Sequence, residues 1–352
     1  MRIFLSYPLT NQPFGGGNQF LKCLSEKIAS RNLLTQDINN ASVILTNSFF
    51  SSPIEDAYDK LFELKRAKPD LKFLHRMDGV LHVYRGNDET LWQDQISSLW
   101  AEICSDGVVF QSNYCQDIQY QHGYPRTIPS TIIGNACDTT IFHPPIKKEP
   151  SPNKCIRLIY TSWSSNILKG FPTLQMLDNT LNFNRYSFTF VGNSPVSFKN
   201  IRHIPAKTSA EVAELLRKAD IFVGVSHHEP CSNAIGEALA CGLPALIRNT
   251  GGNSSFVQQG AILYNNDEDI FIALEHIAAN LCEYQSRLRP LDINDVTDKY
   301  IAFAEQLVAE TPARRPDCHK FLILRKKLCQ HYPELPKRRA WRCKLWLDGW
   351  TR

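Results

Sequence analysis

The chain has 352 residues, 43% hydrophobic and 21% charged, a composition that suits about two globular domains and excludes a disordered or fibrous protein. Eleven cysteines are scattered along it with no C-x-x-C pair, so they read as reduced, mostly buried thiols, with no disulfide framework and no structural metal. The net charge of +4 is uneven, since residues 313–352 hold +9 and the remaining 312 residues −5, which excludes nucleic acid as a partner of the main body.

No apolar run reaches the ~18 residues of a membrane span. The stretch before Pro8 is too short for a secretory signal, so the expected location is cytoplasmic. The chain opens with an apolar strand at Arg2–Ser6 and a loop holding Gly15, Gly16 and Gly17. A helix over Gln19–Ser30 follows, with Phe20, Leu21, Leu24 and Ile28 on one face. Strands at Ala41–Thr46, Lys72–Arg76 and Gly107–Gln111 alternate with helical segments, the pattern of parallel βαβ units. Four prolines and three lysines between His143 and Cys155 mark an extended connection, which closes a first domain at 1–145.

The second domain, 146–295, restarts the pattern. It predicts a strand at Ile156–Thr161, a helix at Phe171–Leu181 and a strand at Ser187–Val191 ending on Gly192. A helix at Ser209–Ala219, capped by Ser209 with Glu211 in its first turn, leads to a strand at Asp220–Val225. A helix at 296–312 is expected to pack back on the first domain, followed by a basic, Trp-rich tail at 313–352. The predicted class is therefore α/β: two Rossmann-like domains facing a cleft, with ligands at the carboxyl ends of the strands.

The segment Ser226–Pro244 is the most informative. Pro230 suits the first position of a helix, which would run to about Cys241 and stop at Gly242. Glu229 then sits at the helix mouth and Glu237 two turns in, roughly 12 Å apart at 1.5 Å per residue. That is wider than the about 5–9.5 Å between glycosidase carboxyl groups. Unpaired N–H groups of Cys231, Ser232 and Asn233 suit a phosphate. A sugar nucleotide fits this layout, with its sugar near Glu229, its diphosphate on the N–H groups and its ribose diol on Glu237.

These residues resemble the E-x7-E signature of retaining glycosyltransferases of the GT-B fold, of the family 4 or group 1 type. Glu237–Pro244 is similar to their EALA-x-GLP stretch, Thr250-Gly251-Gly252 to the glycine pair after the next strand, and Asn135-Ala136-Cys137-Asp138 to the end of their first domain. The resemblance covers roughly residues 1–310. It implies that Glu229 contacts donor-sugar hydroxyls and Glu237 the ribose. It implies an Arg/Lys pair on the diphosphate; Lys169 matches, but Ser164 stands at the arginine position, within a loop where Ser162 and Asn166 are donor-side candidates. Gly16 and Gly17 resemble the loop that lets backbone approach the donor, and Gly192 lies where the base is read. In His75-Arg76-Met77-Asp78-Gly79, His75 or Asp78 would polarise a sugar hydroxyl or stabilise charge.

The implied activity is transfer of a hexose-type sugar from a nucleotide-diphosphate donor, UDP or GDP, to a hydroxyl acceptor such as a glycan or lipid-linked glycan, without a metal. An epimerase or phosphorylase on two Rossmann domains, and a non-catalytic sugar-nucleotide binder, are the alternatives. Asp267-Glu268-Asp269 formally matches a metal-binding D-x-D but reads as a capped helix start. His227 and His228 diverge, one expected toward the cleft. Trp341, Trp346 and Trp350 among the tail's basic residues fit either a peripheral contact with anionic lipid at the inner membrane face or packing on the first domain.

Overall fold

The computed structural model describes residues 1–10, 16–48, 54–146 and 155–331. Gly15, most of the proline-rich connection and the tail tryptophans lie outside the described residues.

The first domain contains β1 (Ile3–Ser6), α1 (Gly16–Ser30), β2 (Val43–Asn47), α2 (Ile54–Ala67), β3 (Lys72–Met77), α3 (Leu81–Arg85), α4 (Leu91–Cys104), β4 (Gly107–Phe110), α5 (Asn113–Gln121) and β5 (Ser130–Ile132). All neighbours in the sheet β1-β2-β3-β4-β5 are parallel. Ile3 also bridges Leu34 in parallel on the outer side of β1. The chain thus steps one way from β1 and then returns to the other side, which makes a topological switch point whose crevice opens at the strand carboxyl ends.

The period of two in β2 divides its residues between two cores. Val43 and Leu45 meet Phe20, Leu21 and Leu24 of α1, whereas Ile44 meets Phe62 of α2 and Trp100 of α4.

The second domain contains β6 (Ile156–Ser162), α6 (Phe171–Thr180), β7 (Tyr186–Gly192), β8 (Arg202–Ile204), α7 (Ser209–Lys218), β9 (Ile221–Gly224), α8 (Asn233–Ala240), β10 (Ala245–Arg248), β11 (Ile262–Tyr264), α9 (Asp269–Ala279) and α10 (Leu281–Ser286). Its parallel sheet runs β11-β10-β9-β6-β7-β8, so the switch point lies between β6 and β9. The loops after those two strands hold residues 163–170 and 225–232, which include the candidates Asn166, Lys169, Glu229, Cys231 and Ser232.

The chain then returns. In α11 (Ile293–Glu310), Val296, Tyr300, Ala304 and Leu307 are buried against α1 and the first sheet. The start of the basic tail is folded too: α12 (Cys318–His331) buries Phe321, Leu324 and Leu328, with Phe321 stacked on Phe62 at 3.8 Å.

Two local expectations are corrected. Thr208, not Ser209, caps α7: its side chain accepts from the Glu211 N–H while the Glu211 carboxylate accepts from the Thr208 N–H, the reciprocal capping box. The helix after β9 starts at Asn233 with Ser232 as its cap, so Pro230 belongs to the approach loop. The unpaired first-turn donors are therefore those of Asn233, Ala234 and Ile235, later than Cys231 and Ser232.

Candidate functional site

A cleft of about 780 Å³ lies between the two domains, within the size range of small-molecule sites. On its second-domain wall, Asn166 caps a single 3-10 turn at Ile167–Lys169 by accepting from the Leu168 N–H at 2.8 Å. The Tyr160 hydroxyl donates to the Lys169 carbonyl at 3.0 Å and fixes the end of that turn. Lys169 is thereby presented to Glu229, with which it forms an ion pair.

Glu229 is held by its backbone. Gly252 N–H donates to the Glu229 carbonyl at 2.7 Å, and Gly251, at φ +62°, lies so close that a Cβ there would stand 2.6 Å from the Glu229 carbonyl oxygen. No side chain fits, which is the physical reason for the glycine pair. His228 just before it adopts φ +55°, a left-handed conformation that costs a non-glycine residue about 1–2 kcal/mol. Strain of this kind persists where the surroundings over-determine the backbone.

Glu237 differs from Glu229. Its carboxylate lines the same cleft but has no hydrogen-bonding or ionic partner among the described residues. Burial without a countercharge raises its carboxyl to about 7. Asn233 and Ala234, whose N–H groups start α8, line the cleft with it. Ser162, Asn166, Gly192, Cys231 and Ser232 also line it. Cys231 is nearly fully buried, and burial pushes its thiol up to about 11, so it is no nucleophile near neutrality.

The first-domain wall contributes Gly16, Gly17 and Asp78. Gly16 carbonyl accepts from Asn233 Nδ2 at 2.6 Å across the cleft, and a Cβ on Gly16 would meet that nitrogen at 2.7 Å. Asp78 sits in a network that the sequence reading did not assemble. Arg76, fully buried, donates to Asn47 Oδ1 at 2.5 Å, to Asp78 Oδ1 at 2.9 Å and to Asn135 Oδ1 at 2.8 Å. Gln111 donates to Asp78 as well, and Asn135 Nδ2 donates to Asn233 Oδ1 at 2.8 Å. Burial alone would raise Asp78, but Arg76 and the hydrogen bonds from Ser48 and Gln111 hold it below its ordinary value. An ionised carboxylate thus faces the cleft, with its orientation fixed through four strand ends.

His75 does not line the cleft. Alternation along β3 turns it away from Arg76, into a fully buried site where Nδ1 is 3.1 Å from the Tyr124 hydroxyl and Nε2 is 3.1 Å from the Ser48 carbonyl. Burial lowers it to about 4, so the ring stays neutral. Its place is structural: it ties the loop after β2 to Tyr124. Neither His227 nor His228 lines the cleft. Asp267 is engaged by Arg248 and by Thr173 Oγ1 at 3.1 Å, and only Asp269 of the three acids enters the first turn of α9.

Residues 168–280 match the family model described as Glycosyl transferases group 1. That stretch contains Lys169, Glu229 and Glu237. No curated protein matches the chain. Among solved structures, sucrose-phosphate synthase from Thermosynechococcus elongatus superposes with a TM-score of 0.61 at 15% identity, over 87% of this chain and 97% of that one. Anabaena HepE in complex with UDP and glucose gives 0.61 at 13% identity, over 87% and 100%. The catalytic domain of starch synthase IV from Arabidopsis thaliana, bound to ADP and acarbose, gives 0.58 at 14% identity, over 84% and 79%. The fold is that of GT-B glycosyltransferases, two Rossmann-like domains about a cleft. The matched segment and these neighbours together support a glycosyltransferase.

Proposed function

We propose that the protein is a retaining glycosyltransferase that moves a hexose-type sugar from a nucleotide-diphosphate donor to an acceptor hydroxyl. The observation that carries this reading is the placement of two differently partnered carboxylates in one cleft. Glu229 is ion-paired with Lys169, whereas Glu237 has no partner among the described residues and burial raises its carboxyl to about 7. A ribose diol supplies two O–H donors to Glu237 and so the partners it lacks. Glu229 accepts from donor-sugar hydroxyls, and the diphosphate lies against the first-turn N–H groups of α8.

In the mechanism we propose, the bond from the anomeric carbon to the β-phosphate oxygen breaks, and its electron pair stays on that oxygen. The acceptor oxygen bonds to the carbon from the same face, and its proton passes to the departing phosphate. No covalent enzyme intermediate or metal is required. The protein's contribution is positioning and charge stabilisation in a site that excludes water. Asp78, ionised and aimed into the cleft, would orient the acceptor or the sugar from the first domain.

HepE is described in complex with UDP and glucose and starch synthase IV with ADP, so UDP and ADP, with GDP beside them, are the nucleotides to test first. Thermal shifts with each nucleotide and its common sugar conjugates, on wild type and Glu237→Ala, test the reading. A shift of several degrees with one nucleotide, lost in the variant, supports it. Binding with neither transfer nor slow donor hydrolysis would instead indicate a sugar-nucleotide binder. Product anomeric configuration by NMR decides retention, and insensitivity to chelator decides metal independence. Cell-surface polysaccharide or glycan synthesis, with the tail on the inner membrane face, is the setting we propose; among the described residues no helix is long and apolar enough to cross a membrane.

A further inference from the structure

Resting on that reading, we infer that Arg85 of the first domain supplies the second cation for the departing diphosphate, in place of the charge that Ser164 lacks. Cleavage leaves the electron pair of the sugar–oxygen bond on the β-phosphate, so negative charge grows there during the step, and preorganised cations stabilise it. Among the described residues, five cationic ones line the cleft: Lys22, Arg76, Arg85, Lys169 and Lys207.

Three of them are already matched to carboxylates: Arg76 to Asp78, Lys169 to Glu229, and Lys207 to Glu211 at 3.0 Å. Lys22 has a partner as well. Arg85 has no acidic partner among the described residues, and its side chain is hydrogen-bonded to Tyr84. Among the described residues that line the cleft, its charge is the one with neither a carboxylate partner nor a further contact such as Lys22 makes.

Position agrees with charge. Arg85 is the last residue of α3, and its carbonyl accepts from Asn166 Nδ2 at 2.8 Å. The next residue, Gly86, packs on Leu168 so closely that a Cβ would lie 3.0 Å from Leu168 Cδ1. Arg85 is therefore docked on the loop that holds both Ser164 and Lys169. Ser164 offers only a hydroxyl, and that accepts from the Asn166 N–H at 3.2 Å. Because Arg85 and Lys169 come from different domains, the full positive charge assembles only when the domains meet, which ties leaving-group stabilisation to closure.

The test compares wild type with Arg85→Gln, Arg85→Lys and the double variant Ser164→Arg/Arg85→Gln. Affinities for UDP, GDP, ADP and the matching monophosphates are measured by calorimetry, with transfer kinetics beside them. Arg85 is exposed, so these variants are expected to fold. Arg85→Gln should weaken the accepted diphosphate about tenfold, and lower kcat more than it raises KM, while monophosphate affinity stays within about twofold. Arg85→Lys should retain part of the effect, and arginine at position 164 should restore it. Unchanged diphosphate affinity and kcat in Arg85→Gln overturns the inference, as does an equal loss for the monophosphate. Failure of the wild type to bind any of the nucleotides overturns the glycosyltransferase reading itself, a result that no Arg85 variant can mimic.

Discussion

Replacing Glu237 with glutamine tests the site through stability and binding at once. The folded protein raises this carboxyl from its ordinary 4.5 to about 7 because burial penalises the charged form. Between those values the folded state holds a proton that the unfolded state has released, so stability falls as pH rises through that window. At 1.36 kcal/mol per unit, the ionised carboxylate costs at most about 3 kcal/mol above pH 7. Water reaching it through the cleft lowers that ceiling. Glutamine keeps the shape without the charge. Glu237→Gln should therefore match wild type near pH 4.5 and melt several degrees higher at pH 8, given about 2–4 °C per kcal/mol for a domain of 150–250 residues. The nucleotide-induced shift, about 2.7 kcal/mol at a hundredfold excess over Kd, should shrink in the same variant, since the amide replaces one of the two acceptor oxygens facing the diol with an NH2 donor. Scanning calorimetry at the two pH values, with and without nucleotide, reads both effects. Equal melting at pH 8, or undiminished nucleotide stabilisation, refutes the reasoning.

Three further substitutions probe the surroundings. Gly251→Ala should destabilise by more than about 1 kcal/mol in urea titration and lower transfer, because the left-handed backbone and the Glu229 carbonyl leave no room for a Cβ. Arg76→Met removes the buried partner of Asp78 and its hydrogen bonds to Asn47 and Asn135; because Asp78 faces the cleft, where water reaches it, the cost in the same assay should be about 1–3 kcal/mol. His75 is lowered to about 4 from 6.5, so wild-type stability should be lost as pH falls between those values, by up to about 3 kcal/mol. His75→Gln should flatten that acid limb while leaving the pH dependence of transfer unchanged; an altered pH–rate profile would return His75 to the chemistry.

The second domain was largely legible because its site is local in sequence. One strand, one loop and one helix start hold Glu229, Asn233 and Glu237 within nine residues, so strand period and helix termination place them together. The first-domain network was not, since Asn47 and Arg76 lie at the carboxyl ends of β2 and β3 while Gln111 and Asn135 follow β4 and β5, and they meet only when the sheet forms. One signal was available: an arginine inside a strand of otherwise buried residues must find partners, and polar residues at neighbouring strand ends are the ones within reach. His75 was placed in the cleft on the strength of its motif, although strand alternation makes it and Arg76 face opposite ways. The cap of α7 was misread by one residue for a similar reason. Glu211 lies three residues after Thr208, and that spacing, more than the presence of a serine, identifies a capping box.

The return of α11 to the first domain has a mechanical meaning. The chain leaves the first domain after β5 and comes back before α11, so two covalent strands join the halves of the molecule. A single tether permits twist, bend and stretch, whereas a second connection removes some of that freedom. Three hydrogen bonds span the joint beside that double connection, from Asn233 to Gly16, from Asn135 to Asn233 and from Asn166 to Arg85. These contacts are neutral hydrogen bonds, so they weaken little with salt and hold the halves together without locking them. The double connection makes the two lobes one covalently braced unit rather than a pair on a single string.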